Sequence, residues 1–130
     1  MEGKMKLLLL DDDEISRFYI SYVYKNIALV DTAEDAESAI IKATHIVYDI
    51  VFLDIGLKGE VNGIDVLKEI RKLPEYDRIP IIAFTAFAMA GDREKFLSEG
   101  FDDYIAKPII KEDLFAIVEK NLKKYKEMEK

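Results

Sequence analysis

The chain has 130 residues, 50% of them hydrophobic and 35% charged, which suits one domain around one core and argues against disorder. A formal net charge of −7 argues against nucleic-acid binding, which calls for a basic face. The lack of cysteine excludes disulfides, thiolate catalysis and cysteine zinc sites.

The N-terminal residues lead into four leucines, Leu7–Leu10. That run falls short of the ~7–15 apolar residues of a signal-peptide core. No run approaches the ~20 residues needed to cross a membrane. No membrane segment and a cytoplasmic location are therefore expected.

Leu7–Leu10 reads as the first strand. A helical stripe of Ile15, Phe18, Tyr19, Tyr22 and Val23 follows, then a second strand at Ile27–Val30. Ala36, Ala39, Ile40 and Ala43 mark the second helix, and Ile50–Leu53 the third strand. Val66, Leu67 and Ile70 share a helical face after Asn62-Gly63; Ile81–Phe84 is the fourth strand. Ala90, Phe96 and Leu97 form a weaker stripe closed by Gly100, where helices commonly end. Tyr104–Ala106 is the fifth strand, and Leu114, Ile117, Val118 and Leu122 make the last helix.

The first four strands are nearly continuous in apolar character, as strands buried on both faces are. Alternating strands and helices imply βαβ units and a parallel sheet. The expected fold is a doubly wound α/β sandwich, flavodoxin-like, with five helices and five parallel strands in the order 2-1-3-4-5. It occupies residues 1–130 as a single domain without linker or repeat. In such sheets ligands sit outside the carboxyl ends of the strands where the order reverses, here strands 1 and 3.

Those two ends read Asp11-Asp12-Asp13-Glu14 and Asp54. Converging carboxylates repel unless neutralised, and oxygen-only ligands select a hard cation such as Mg²⁺. Asp13 and Glu14 are better read as cap and dipole partners of the first helix. Strand 4 ends in Thr85 and strand 5 in Lys107. Singly, each reads as a strand-end residue. Together with the acids, a hydroxyl and an ammonium on one rim form a phosphoryl-transfer set.

The chain resembles the receiver domains of two-component response regulators over nearly its whole length. The resemblance rests on Lys6-Leu-Leu-Leu-Leu-Asp-Asp-Asp-Glu14, Asp49-Ile-Val-Phe-Leu-Asp-Ile55 and Asn62-Gly-Ile-Asp65. It continues through Ile79-Pro-Ile-Ile-Ala-Phe-Thr-Ala86 and Gly100-Phe-Asp-Asp-Tyr-Ile-Ala-Lys-Pro108. The stretch from Thr85 to Lys107 most resembles receivers attached to hybrid sensor kinases.

The resemblance implies a phosphoacceptor switch, not an enzyme, though one that can catalyse its own phosphorylation and dephosphorylation. Asp54 matches the phosphorylated aspartate. Asp11, Asp12, Asp54 and the Gly56 carbonyl match the Mg²⁺ ligands. Thr85 and Lys107 match the residues that hold the phosphoryl group, and Tyr104 the aromatic partner that moves with Thr85. The bond before Pro108 is expected to be cis. The implied phosphodonor is a sensor histidine kinase or a histidine phosphotransfer protein. The downstream target is a protein the sequence does not name, and a homodimer through the fourth helix, fifth strand and fifth helix is one option. No output domain is expected after the last helix.

Two departures stand out. Lys58 takes a place where the family commonly has proline, in a loop one residue longer than the commonest. Phe87 lies two residues after Thr85, where smaller or polar residues are frequent. Other readings fit less well. A phosphohydrolase needs a second acid two residues after Asp54, where Gly56 stands. A nucleotide or flavin carrier lacks a glycine-rich loop after strand 1. A receiver that scaffolds without phosphate is disfavoured by the full acid, threonine and lysine set. The lone histidine, His45, reads as an ordinary surface residue.

Overall fold

The computed structural model describes residues 4–57, 62–86 and 89–128, with side chains through Tyr125. Among these, strand and helix alternate as β1 (Met5–Leu10), α1 (Glu14–Tyr24), β2 (Ala28–Ala33), α2 (Ala36–His45), β3 (Ile50–Asp54) and α3 (Gly63–Arg71). A 3-10 turn at Pro74–Tyr76 leads to β4 (Ile81–Thr85), α4 (Asp92–Glu99), β5 (Asp103–Ala106) and α5 (Lys111–Met128). The strands form one parallel sheet in the order β2-β1-β3-β4-β5. Fold class and strand order are those implied by the sequence.

The four leucines show how the sheet serves two cores. All four are fully buried, and successive side chains of a strand point to opposite faces. Leu7 and Leu9 pack with Ile20 and Tyr24 of α1 and Leu114 and Val118 of α5. Leu8 and Leu10 pack with Ala39 and Ala43 of α2 and Val66, Leu67 and Ile70 of α3. Each such burial is worth about 1.5–3 kcal/mol, so β1 anchors both layers and fixes where Asp11 leaves the sheet.

Three expectations need correction. β2 runs Ala28–Ala33, past the apolar run into Asp31 and Thr32. It is an edge strand with Leu29 half exposed, so its outer part need not be apolar. The α1 stripe divides: Tyr19 and Val23 pack on the core, while Ile15, Phe18 and Tyr22 are 78%, 70% and 58% exposed. Ala90 precedes α4, which starts after Gly91 and buries Phe96 alone. Gly100 closes α4 at φ 117°, a left-handed conformation that glycine adopts without steric cost.

Two adjacent acids fasten the C-terminal half. Asp102 accepts from Arg71 of α3 at 2.7 Å, the Ile81 amide at 2.8 Å and the Tyr125 hydroxyl at 2.6 Å. Asp103 accepts from Arg93 of α4 and from Asn121 of α5 at 2.9 Å. Burial opposes the Asp103 charge, but Asn121, the Tyr104 amide, Arg93 and Lys120 hold its pKa below the ordinary carboxylate value. α4 and α5 are thereby tied to the start of β5.

Candidate functional site

Strand register delivers the acids to one place. Leu10 pairs with Leu53, so the next residues, Asp11 and Asp54, emerge side by side. Carboxylate oxygens of Asp11, Asp12 and Asp54 lie within 4.8 Å of one another. Asp11 and Asp54 are buried, and Asp12 is half buried. Asp13 stands apart as the N-cap of α1, accepting from the Ile15 and Ser16 amides and the Ser16 hydroxyl, as the sequence indicated. Its pKa is lowered, chiefly by Ser16.

The same logic brings in β4 and β5. Thr85 pairs with Ala106 and accepts the Lys107 amide on its carbonyl at 2.8 Å. Lys107 Nζ then reaches Asp11 Oδ2 at 3.0 Å and Asp54 Oδ2 at 3.4 Å, while lying 4.9 Å from the centre of the Phe84 ring. The Lys107–Pro108 peptide bond is cis.

Asp54 is held from both sides of its carboxylate. Its Oδ1 accepts the Gly56 amide at 2.9 Å and its Oδ2 faces Lys107. The N-terminus of α3 abuts its backbone. There Asn62 and Asp65 form a reciprocal capping box, and a Cβ on Gly63 would lie 2.4 Å from the Asp54 carbonyl oxygen. Only glycine permits that approach. At Gly56 a Cβ would meet Asp54 Oδ1 at 3.7 Å, an ordinary contact.

Burial, then the neighbouring Asp11 carboxyl, push the Asp54 pKa up to about 6, against the Gly56 amide and Lys107. Burial works against the Lys107 charge, but Asp11 and Asp54 more than offset it and raise its pKa. The site thus brings three acids together beside the Lys107 ammonium. That leaves a deficit of positive charge that a hard divalent ion held by oxygen ligands fits.

Tyr104 lies on the face of the sheet that bears Thr85. It pairs with Ala83, two residues before Thr85, and side chains alternate along a strand. Its ring packs 5.4 Å from that of Phe96. Its hydroxyl is buried without a hydrogen-bond partner among the described residues, and burial, with Asp92 adding to it, raises its pKa. The loop positions Lys58 to Val61 and Phe87 lie outside the described residues.

Two features were not anticipated. A groove of about 560 Å³ opens beside the rim, lined by Asp13, Ile15, Tyr19, Lys107, Pro108 and Ile109 among others. It continues onto the outward strip of Ile15, Phe18 and Tyr22, whose last two rings stack 6.2 Å apart. Arg17 is the second. Its guanidinium turns inward to the Asp11 carbonyl at 2.8 Å. The available signal was its spacing to Ile20 and Tyr24, which puts an arginine at the head of a buried stripe.

The response regulator receiver domain family matches residues 7–119. The histidine-protein kinase BarA of Escherichia coli K12 is 32% identical over 111 residues, 85% of this chain and 12% of BarA. The two-component response regulator PhoP of Pseudomonas aeruginosa is 32% identical over 113 residues, 86% of this chain and 49% of PhoP. The chain thus spans only a fraction of the length of these relatives.

Among solved structures, the receiver domain of the sensor histidine kinase PA1611 from Pseudomonas aeruginosa PAO1 has a magnesium ion coordinated in its active-site cleft. It is 30% identical, with a TM-score of 0.82 over 92% of this chain and 98% of that one. A CheY-like receiver from Methanospirillum hungatei, at 22% identity, shares the fold with a TM-score of 0.86 over 97% and 99%. With this fold, an acidic rim at the strand order's reversal and a family match over most of its length, the chain belongs to the response regulator receiver domains, the phosphoacceptor switches of two-component systems.

Proposed function

We propose that Asp54 is the phosphoacceptor, in a reaction that depends on Mg²⁺. The observation that carries this reading is the convergence of Asp11, Asp12 and Asp54 within 4.8 Å, bridged by Lys107. Asp11, Asp12, Asp54 and the Gly56 carbonyl would hold the ion, which when bound would supply positive charge against the acids and the phosphoryl oxygens.

The chain's own residues do the rest. An Asp54 carboxylate oxygen forms the new bond to phosphorus as the bond to the donor's imidazole nitrogen breaks. The imidazole leaves with the electron pair and takes up a proton. The Gly56 amide holds Asp54 Oδ1, which orients the carboxylate. Lys107, already beside the carboxylate oxygens, and Thr85 hold the phosphoryl oxygens. The chain thus catalyses its own phosphorylation; its own dephosphorylation follows when water attacks the phosphorus, the Asp54 oxygen–phosphorus bond breaks and the carboxylate leaves with the electron pair as inorganic phosphate is released.

The donor is a phosphohistidine of a sensor kinase or phosphotransfer protein, a reading supported by the histidine-protein kinase among the relatives. The groove beside Lys107 and the strip of Ile15, Phe18 and Tyr22 offer it an apolar landing next to the acceptor. Thr85 and Tyr104 share a face that leads to α4, so a move of Thr85 toward the phosphoryl group reaches the α4–β5–α5 surface. That surface is the output face toward a protein target or a second copy. The unit is a single domain over residues 1–130 acting in the cytoplasm; among the described residues no helix is long and apolar enough to cross a membrane.

Incubation with acetyl phosphate tests the reading. Uptake of one phosphoryl group is expected with Mg²⁺ and none with excess EDTA. Equal uptake in EDTA would overturn the metal dependence.

A further inference from the structure

We propose that Arg17 is a positioning residue for the acidic rim: it fixes the peptide that joins Asp11 to Asp12, and so sets where the two carboxylates stand. The inference rests on reading those two as Mg²⁺ ligands.

Three of the four polar groups of Asp11 are hydrogen-bonded among the described residues, and the fourth, Oδ2, has the Lys107 charge beside it. Its amide donates to the Ala33 carbonyl at 3.0 Å. Its Oδ1 accepts the Asp13 amide at 2.9 Å, and its Oδ2 faces Lys107 at 3.0 Å. Its carbonyl remains, and Arg17 Nη1 donates to it at 2.8 Å.

A peptide unit is planar, so holding that carbonyl also fixes the direction in which the Asp12 Cα leaves. Asp12 is the least buried of the three acids and follows the last residue in register with β3 by two positions. The peptide that Arg17 holds is thus the one that carries Asp12 away from the sheet.

Arg17 is itself well placed to hold. It heads the inward stripe of α1, one turn before Ile20 and two before Tyr24, which are 0% and 2% exposed. Its own side chain is 17% exposed. The second guanidinium arm lies 3.5 Å from Glu34, which is 72% exposed. A pair that open to solvent contributes little; the bond to the Asp11 carbonyl is the one that acts.

The sign of the effect separates this role from simple charge. Removing a cation near a dication site strengthens binding of the dication. Removing a positioning contact weakens it, by about tenfold at the low end for groups that orient metal ligands.

Calorimetry with Mg²⁺ alone on the full chain is the test. Arg17→Gln is expected to weaken Mg²⁺ binding about tenfold, while phosphorylation from acetyl phosphate at saturating Mg²⁺ stays near the parent rate. Arg17→Lys keeps the charge but loses the fork and should fall between the two. Glu34→Gln should match the parent. Arg17→Gln binding as tightly as the parent, or more tightly, overturns the proposal, as does an equal loss in Glu34→Gln. Should Arg17→Gln not fold, Arg17→Lys decides: weaker binding at an unchanged melting midpoint in EDTA supports the proposal, and parent affinity overturns it. A parent chain that bound no Mg²⁺ would overturn the metal reading itself, whereas parent-like binding by Arg17→Gln overturns only the role of Arg17.

Discussion

Lys107 Nζ stands between Asp11 and Asp54, 3.0 Å from one carboxylate and 3.4 Å from the other. One ammonium therefore serves two buried acids. Removing it leaves both without that partner, and an uncompensated buried charge is costly. Lys107→Gln should lose about 2–3 kcal/mol of stability at pH 7.5 in EDTA. The loss should shrink toward pH 5, where Asp54 becomes neutral. Urea unfolding at the two pH values checks this; an equal loss at both contradicts it.

Asp54 itself gives the opposite sign. Burial and Asp11 raise its pKa to about 6 from an ordinary 3.8. A carboxyl whose folded pKa is raised stabilises the fold in its neutral form. That contribution is complete below about pH 3.8 and is lost as pH rises through about 6. Asp54→Asn should therefore stabilise the metal-free chain at pH 7.5 by about 2 kcal/mol and flatten its stability profile between pH 4 and 7. A destabilised Asn variant in EDTA contradicts the assignment of strain to this carboxylate.

Asp103 titrates the other way. Its partners Asn121, the Tyr104 amide, Arg93 and Lys120 outweigh burial and hold its pKa below 3.8. Its contribution is present above the unfolded value and is lost as pH falls through the lowered folded value. Asp103→Asn should cost about 2–3 kcal/mol at pH 7 and less at pH 3, already below the ordinary carboxylate value. Denaturation midpoints at both values check it.

The two glycines near Asp54 should part company. Gly63→Ala places a methyl 2.4 Å from the Asp54 carbonyl oxygen, so α3 must shift. A cost of about 1–3 kcal/mol is expected, with weaker Mg²⁺ binding. Gly56→Ala meets only an ordinary contact at 3.7 Å and keeps its backbone carbonyl, so stability should stay within about 0.5 kcal/mol and Mg²⁺ affinity near the parent. Thermal melts and calorimetry on the pair decide.

The strand order and the acidic rim were legible because both follow from local pattern. Leu7–Leu10 and Ile50–Leu53 are apolar on both faces, as central parallel strands must be, and each ends in Asp. Where burial is one-sided the pattern misled. In β2 the apolar run Ile27–Val30 marked only the first part of an edge strand that ends at Ala33. In α1 three large apolar residues, Ile15, Phe18 and Tyr22, face outward, while the inward stripe begins with a charged residue. Hydrophobicity alone does not tell a core face from an apolar surface. Arg17 escaped notice for a related reason. Its partner is a backbone carbonyl, which every residue has and no side-chain pattern records.

Asp54 alone among the rim acids is proposed to take the phosphoryl group. Intact-mass analysis after acetyl phosphate and Mg²⁺, followed by borohydride trapping and peptide mapping, tests it most directly. One added phosphoryl group is predicted, with the trapped residue at Asp54 and no addition to Asp54→Asn. Phosphate uptake by Asp54→Asn equal to the parent's, or trapping at Asp11 or Asp12 in the parent, would contradict Asp54 as the acceptor.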